Sequence, residues 1–193
     1  MQFDYPTGAT PLDPDEVAGL IPLHISTQGQ LNEWEQQNII DAEVWAFSRK
    51  FSNVLTLEFC KQLHKKMFDK TWSWAGSFRQ SNKNIGGYWE CVPQELTKLF
   101  DDLTFQMSHK TYSMDEALTR FHHRLVYIHP FPNGNGRHAR LMTDLILFQH
   151  DCKRFTWGSQ AMLSHEKTRN NYIEALRKSD RGDYSQLIRF VRS

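Results

Sequence analysis

Apolar residues recur at helical spacing through most of the chain, and each such run opens on a recognisable cap. Asp13, Pro14, Asp15 and Glu16 predict a short helix start, with proline at the first position and acids near the positive end; Gly19 and Pro22 soon end it. Thr27 with Gln30 forms a capping box for a long helix over roughly 28–50. Leu31, Trp34, Ile40, Val44, Phe47 and Phe51 are its expected buried stripe. Thr56 opens the next helix, with Leu57, Cys60, Leu63 and Met67 inward. Pro93 starts another carrying Leu96, Leu99, Leu103 and Met107, and Ser113 with Glu116 caps one that turns Leu118, Phe121, Leu125 and Ile128 inward. A central helix runs to about Gln149, followed by one near 164–179 and a short one after Asp183. Residues 1–12 read as an irregular arm with two prolines.

Between Asp69 and Val92 the helical period is lost. Gly76, Gly86 and Gly87 appear among Trp72, Trp74, Phe78, Tyr88 and Trp89, a pattern that predicts a loop followed by a short β-hairpin at 84–92. The expected fold is mainly α, with one small β appendage and a single domain over 1–193 whose residues 1–26 form the arm and short helix.

Composition narrows the class. With 193 residues and a formal charge of +1, from 23 Lys and Arg against 22 Asp and Glu, there is no global case for nucleic acid or an anionic surface. No basic recognition helix appears, and no run approaches a membrane span. The start lacks a signal-peptide pattern, and Cys60, Cys91 and Cys152 are odd in number and scattered, so reduced thiols in a cytoplasm are expected.

The densest chemistry lies in HPFPNGNGRHAR, residues 129–140, placed between two helices. A glycine-containing turn that opens a helix leaves backbone N–H groups without intrahelical partners, which is an anion site. Arg137 and Arg140, three residues apart, share one helix face and point to a polyphosphate. No GxxxxGK[ST] occurs, so this is not a P-loop. His129 is placed to act as general base, and Phe131 to anchor the loop on the core. Asn133 and Asn135 either contact phosphate or cation, or hydrogen-bond their own turn. A metal site from His122, His123, His129 and His138 fits no HExxH-type spacing.

The stretch resembles the Fic motif, HPFx[D/E]GNGRxxR, of the Fic/Doc family, matching at every specified position but one. WAGSFR at 74–79 resembles the segment before that family's flap, NIGGYWECVP at 84–93 the flap itself, and 171–190 its terminal helices; the likeness covers most of 24–190. Within that family the chain resembles the small bacterial proteins known as mobile mystery protein B. The resemblance implies a Fic-like helical bundle and transfer of AMP from ATP to a Tyr, Ser or Thr hydroxyl of a target protein. By the same resemblance His129 is the base, and Gly134, Asn135 and Gly136 cradle phosphate. Arg137 and Arg140 hold the β and γ phosphates, and Ile85, Gly86, Gly87 and Tyr88 present the target. The family's acidic Mg²⁺ ligand falls at Asn133, which implies weaker or ATP-dependent metal binding. Gly136 speaks for AMP transfer, because the Doc branch, which phosphorylates, carries lysine there. Many members are inhibited by a glutamate that pairs with the second motif arginine, here Arg140. The [ST]xxxE[GN] signature of that helix is absent, but Glu33 and Glu35 lie on the long helix and are the candidates. The alternatives are a catalytically weak nucleotide-binding or regulatory protein with an antitoxin-like partner, or transfer of another nucleotide or phosphate group.

Overall fold

The structure is a computed structural model that describes residues 11–161 and 164–193; most of the expected N-terminal arm lies outside them. Among the described residues eight α-helices follow in order: α1 Pro14–Val17, α2 Gln28–Phe47, α3 Leu57–Phe68, α4 Val92–Ser108, α5 Met114–Ile128, α6 Asn135–Gln149, α7 His165–Ser179 and α8 Ser185–Val191. The caps do what their side chains predict. Thr27, Thr56, Ser113 and Ser164 each accept a hydrogen bond from the backbone N–H three residues on, relieving one orphan donor at each start.

Helices α5 and α6 form the centre. Helix α4 packs on α5, α2 packs on α3, and α3 reaches α6, while α7 and α8 close the far side. Leu118, Phe121, Leu125, Met142, Leu145 and Leu147 are buried at the junction. Their burial is the main stabilising term for helices that would be marginal alone.

Two expectations need correcting. The buried face of α2 is Leu31, Glu35, Asn38, Ile39, Ala42 and Ala46; of the expected stripe Leu31 is buried and Phe47 and Phe51 pack partly buried against the core. Trp34, Ile40 and Val44 are exposed instead, at 39%, 45% and 69%. The rotation has a polar cause. Asn38 Oδ1 accepts from Lys70 N at 3.1 Å and its Nδ2 donates to Lys66 O at 3.2 Å, so it satisfies backbone groups at the end of α3. Small Ala42 and Ala46 let the helices approach closely; Trp34 is left at the edge, its Nε1 donating to Lys70 O at 3.1 Å.

The β-hairpin at 84–92 does not form. Among the described residues the only β pairing is an isolated bridge between Leu20 and Trp72, and 84–88 is a bent loop leading into a 3-10 turn at Trp89–Cys91. The loop's polar groups go inward instead of across a ladder. Gly87 O accepts from Arg79 Nη2 at 2.7 Å, and Trp89 N donates to Asn82 Oδ1 at 3.0 Å. Those two backbone groups are therefore engaged by side chains and enter no cross-strand ladder.

Candidate nucleotide-binding and transfer site

The site is assembled where α5 ends and α6 begins. Helix α5 stops at His129, which adopts the left-handed conformation (φ 53°, ψ 59°) and so turns the chain sharply. Pro130 cannot continue a helix. The turn is then pinned from inside by Asn135, whose Oδ1 accepts from Phe131 N at 2.9 Å and whose Nδ2 donates to Phe131 O at 2.8 Å. The Asn135 side chain therefore serves the turn, leaving only its backbone N–H for a ligand.

Phe131 is fully buried and stacks on His64, with centroids 3.7 Å apart and planes 16° from parallel. His64 Nε2 lies 3.1 Å from Asn133 O, and Nδ1 accepts from Gly76 N at 3.0 Å, which makes Nε2 the donor. Burial holds this imidazole well below its usual pKa, so it is a neutral bracket between α3 and the loop. Gly134 has φ +77°, and a Cβ there would meet the Phe68 ring at 2.6 Å. No other residue fits that position without moving Phe68.

The first bond of α6 runs from His138 N to Gly134 O at 2.9 Å. The N–H groups of Asn135, Gly136 and Arg137 are the orphans of the helix start, and a Cβ on Gly136 would point into open space. They face a cavity of about 1030 Å³ that is also lined by Glu35, His129, Arg140 and Tyr172. Ile85 and Gly86 of the 84–88 loop form its wall, while Tyr88 points outward and is 72% exposed.

His129 is 6% exposed. Burial pushes its pKa down to about 4, opposed by a hydrogen bond with the backbone of Val126 and assisted by the charges of Arg79 and Lys83. The imidazole is thus neutral at ordinary pH and able to accept a proton. The two motif arginines have different surroundings. Arg140 lies over the Tyr172 ring (4.4 Å) and near that of Trp157 (5.8 Å), with its buried Nε lacking a hydrogen-bond partner. Arg137 Nη1 forms an ion pair with Glu35 Oε2 at 2.6 Å and lies over the Phe68 ring at 4.9 Å. Of the two candidate glutamates, Glu35 is buried and reaches the site, whereas Glu33 faces solvent; the arginine Glu35 meets is Arg137 rather than Arg140.

An orphaned buried guanidinium nitrogen and three unpaired helix-start amides fit a polyphosphate. The donors do not fit a protein-held Mg²⁺. Asn133 Oδ1 already accepts from Gly134 N at 2.6 Å and faces Arg137 Nη2 at 3.4 Å. Among the described residues no group of three or more His, Cys, Asp or Glu could hold a metal. His122, His123 and His138 turn instead to Tyr172, Asp180 and the Cys60 carbonyl.

Several functional neighbours were not singled out by sequence reasoning. His64 carried no motif signal, and Arg79 none beyond closing WAGSFR. Tyr172 is 7% exposed and places its hydroxyl 2.8 Å from His122 Nε2 beneath Arg140.

Comparison with known proteins agrees with this geometry. Residues 54–147 match the Fic/DOC family. Protein adenylyltransferase Fic of Nematostella vectensis is 28% identical over 144 residues, which is 72% of this chain and 32% of that protein. Protein adenylyltransferase fic-1 of Caenorhabditis briggsae is 30% identical over 120 residues, 61% of this chain and 22% of that protein. The chain thus spans a minor part of the length of these curated relatives. The crystal structure of the BepC protein of Bartonella tribocorum with bound AMPPNP superposes with a TM-score of 0.70 at 16% identity, covering 93% of this chain and 97% of that one. The N-terminal Fic domain of a putative cell filamentation protein of Bartonella quintana, with bound ADP, gives 0.67 at 18%, covering 88% and 86%. At those identities the likeness to the solved structures is one of fold. Motif, fold and match coincide on the same turn: the chain carries a Fic/DOC family domain over residues 54–147.

Proposed function

We propose that this chain is a protein adenylyltransferase that moves AMP from ATP to a Tyr, Ser or Thr hydroxyl of a target protein and releases pyrophosphate. The observation that carries the reading is a buried, neutral His129 sharing one cavity with the α6 amides and both motif arginines. The names of the curated relatives and the nucleotides bound in the two solved neighbours support it.

In this mechanism the N–H groups of Asn135, Gly136 and Arg137 bind phosphate oxygens, and Arg140 holds the terminal phosphates. The target hydroxyl lies between Ile85–Gly86 and His129. His129 takes its proton as the oxygen attacks the α-phosphorus; the bond to the β-phosphate oxygen breaks and pyrophosphate leaves. No covalent enzyme intermediate is needed, because phosphoryl chemistry depends mainly on positioning and charge stabilisation. Mg²⁺ would enter with the nucleotide, held by phosphate and water, since Asn133 offers no spare carboxylate.

Glu35 is the internal brake in this reading. Its pairing with Arg137 leaves that guanidinium turned from the phosphate path until ATP competes for it. The same pair, with the engaged Asn133 amide, favours a second reading: a nucleotide-binding regulatory protein of low turnover, working with an antitoxin-like partner. Intact mass after incubation with ATP and Mg²⁺, alone and with lysate, separates the two. An AMP adduct that disappears in His129→Ala supports the transferase; ATP binding without any adduct supports the regulatory protein.

A further inference from the structure

Arg79 is the most deeply buried charged side chain next to the site, at 1% exposure, and it has no carboxylate partner among the described ion pairs. Its guanidinium is spent on backbone carbonyls. Nε donates to His129 O at 2.7 Å, Nη1 to Ser81 O at 2.8 Å, and Nη2 to Gly87 O at 2.7 Å, with Ile128 O at 3.5 Å. Its own backbone N–H donates to Pro130 O at 2.9 Å.

These acceptors belong to two separate structures. Ile128 and His129 are the last residues of α5, whose terminal carbonyls have no intrahelical partner and carry the negative end of the helix dipole. Ser81 and Gly87 bracket the loop whose Ile85 and Gly86 wall the cavity. The loop lies hard against the helix end: a Cβ on Gly86 would meet Ile128 O at 3.0 Å and Arg79 Nη2 and Tyr127 O at 3.1 Å. A planar fork with five donors can satisfy carbonyls in three directions at once, which a lysine ammonium on a flexible stem cannot match in geometry.

We propose that Arg79 is a positioning residue that caps α5 and fixes the 84–88 loop in register with the left-handed turn at His129, so that the base and the wall facing it move as one unit. The proposal rests on the transferase reading for its catalytic consequence but not for its structural one. Arg79 bonds the chain only up to Pro130 and makes no hydrogen bond to residues 131–137, where the anion-binding amides lie and which Asn135 and His64 hold. Loss of Arg79 should therefore separate turnover from nucleotide affinity.

The test uses the full chain and Arg79→Lys, with three readouts: amide hydrogen exchange, ATP affinity and the transfer rate. Exchange in 84–88 and in 128–131 should accelerate together, by roughly tenfold or more, while α2, α3 and α6 stay protected. The ATP dissociation constant should stay within about twofold as kcat falls about 100-fold. Wild-type exchange in either segment, or ATP affinity falling as far as kcat, overturns the proposal. A wild-type chain with no transfer sinks the transferase reading alone, because the paired exchange still decides the role of Arg79. If Arg79→Lys does not fold, Gly86→Ala loads the same joint from the loop side. Acceleration confined to 84–88 in that variant, with 128–131 unchanged, overturns the coupling; acceleration of both supports it.

Discussion

Glu35 holds two donors with its two oxygens: Oε2 lies 2.6 Å from Arg137 Nη1 and Oε1 lies 2.7 Å from Trp72 Nε1. The carboxylate is buried, while the arginine is 39% exposed and borders the cavity. Phosphate can replace Glu35 on Arg137 only by competing with an ion pair already formed. Glu35→Gln keeps an acceptor for Trp72 and removes the charge. ATP affinity and self-modification should both rise, by about tenfold, as read by calorimetry and labelled-nucleotide incorporation. Glu33→Gln should change neither, since Glu33 is exposed. Equal effects at both positions, or none at Glu35, would remove the brake.

Asn133 stands where the family motif has an acid. Its side-chain oxygen is turned to Gly134 N and Arg137. Asn133→Asp places a carboxylate beside the phosphate path and should lower the Mg²⁺ concentration for half-maximal transfer by roughly tenfold. A metal titration of the transfer rate checks it; an unchanged or weaker metal response contradicts the account of why the wild-type donors fit Mg²⁺ poorly.

Tyr172 supports Arg140 with its ring, 4.4 Å from the guanidinium carbon, and is itself held by His122. Tyr172→Phe keeps the ring and should weaken ATP binding by no more than a few fold. Tyr172→Ala removes the face and should weaken it by about tenfold or more. Equal losses in both variants would assign the effect to the hydroxyl instead.

Four histidines are buried in the neutral form. Burial brings His129 and His138 to about 4 and His122 to about 3, and holds His64 well below its usual value. In the unfolded chain each titrates near ~6.5, so between these values the unfolded state binds more protons. The stability these groups contribute is full above about 6.5 and is lost progressively as pH falls below it. Asp144, whose pKa burial raises, works in the opposite sense. Thermal midpoints should fall by roughly 10 °C or more from pH 7 to pH 5. A flat profile over that range would mean the histidines are charged or solvated in the folded state.

The helices and the anion turn were legible in the sequence because their determinants are local. Caps at Thr27, Thr56 and Ser113 and the glycines at 134 and 136 act within one turn of the chain. The face of α2 was not legible. Its orientation is set by Asn38 and Glu35 meeting groups 28 to 102 residues away, and a periodicity count treats both as solvent-facing. The hairpin failed for the same reason. Gly86 and Gly87 are turn residues in any local reading, whereas the buried Arg79 that takes the Gly87 carbonyl acts from outside the segment.

The most direct test of the central claim is incorporation of label from α-labelled ATP, GTP, UTP and CTP into protein, with wild type and His129→Ala side by side. Incorporation from ATP should exceed that from the other three. Transfer should fall by more than about 100-fold in His129→Ala, with ATP binding retained. Incorporation that survives His129→Ala, or none from ATP with wild type, Glu35→Gln or Asn133→Asp, would contradict it.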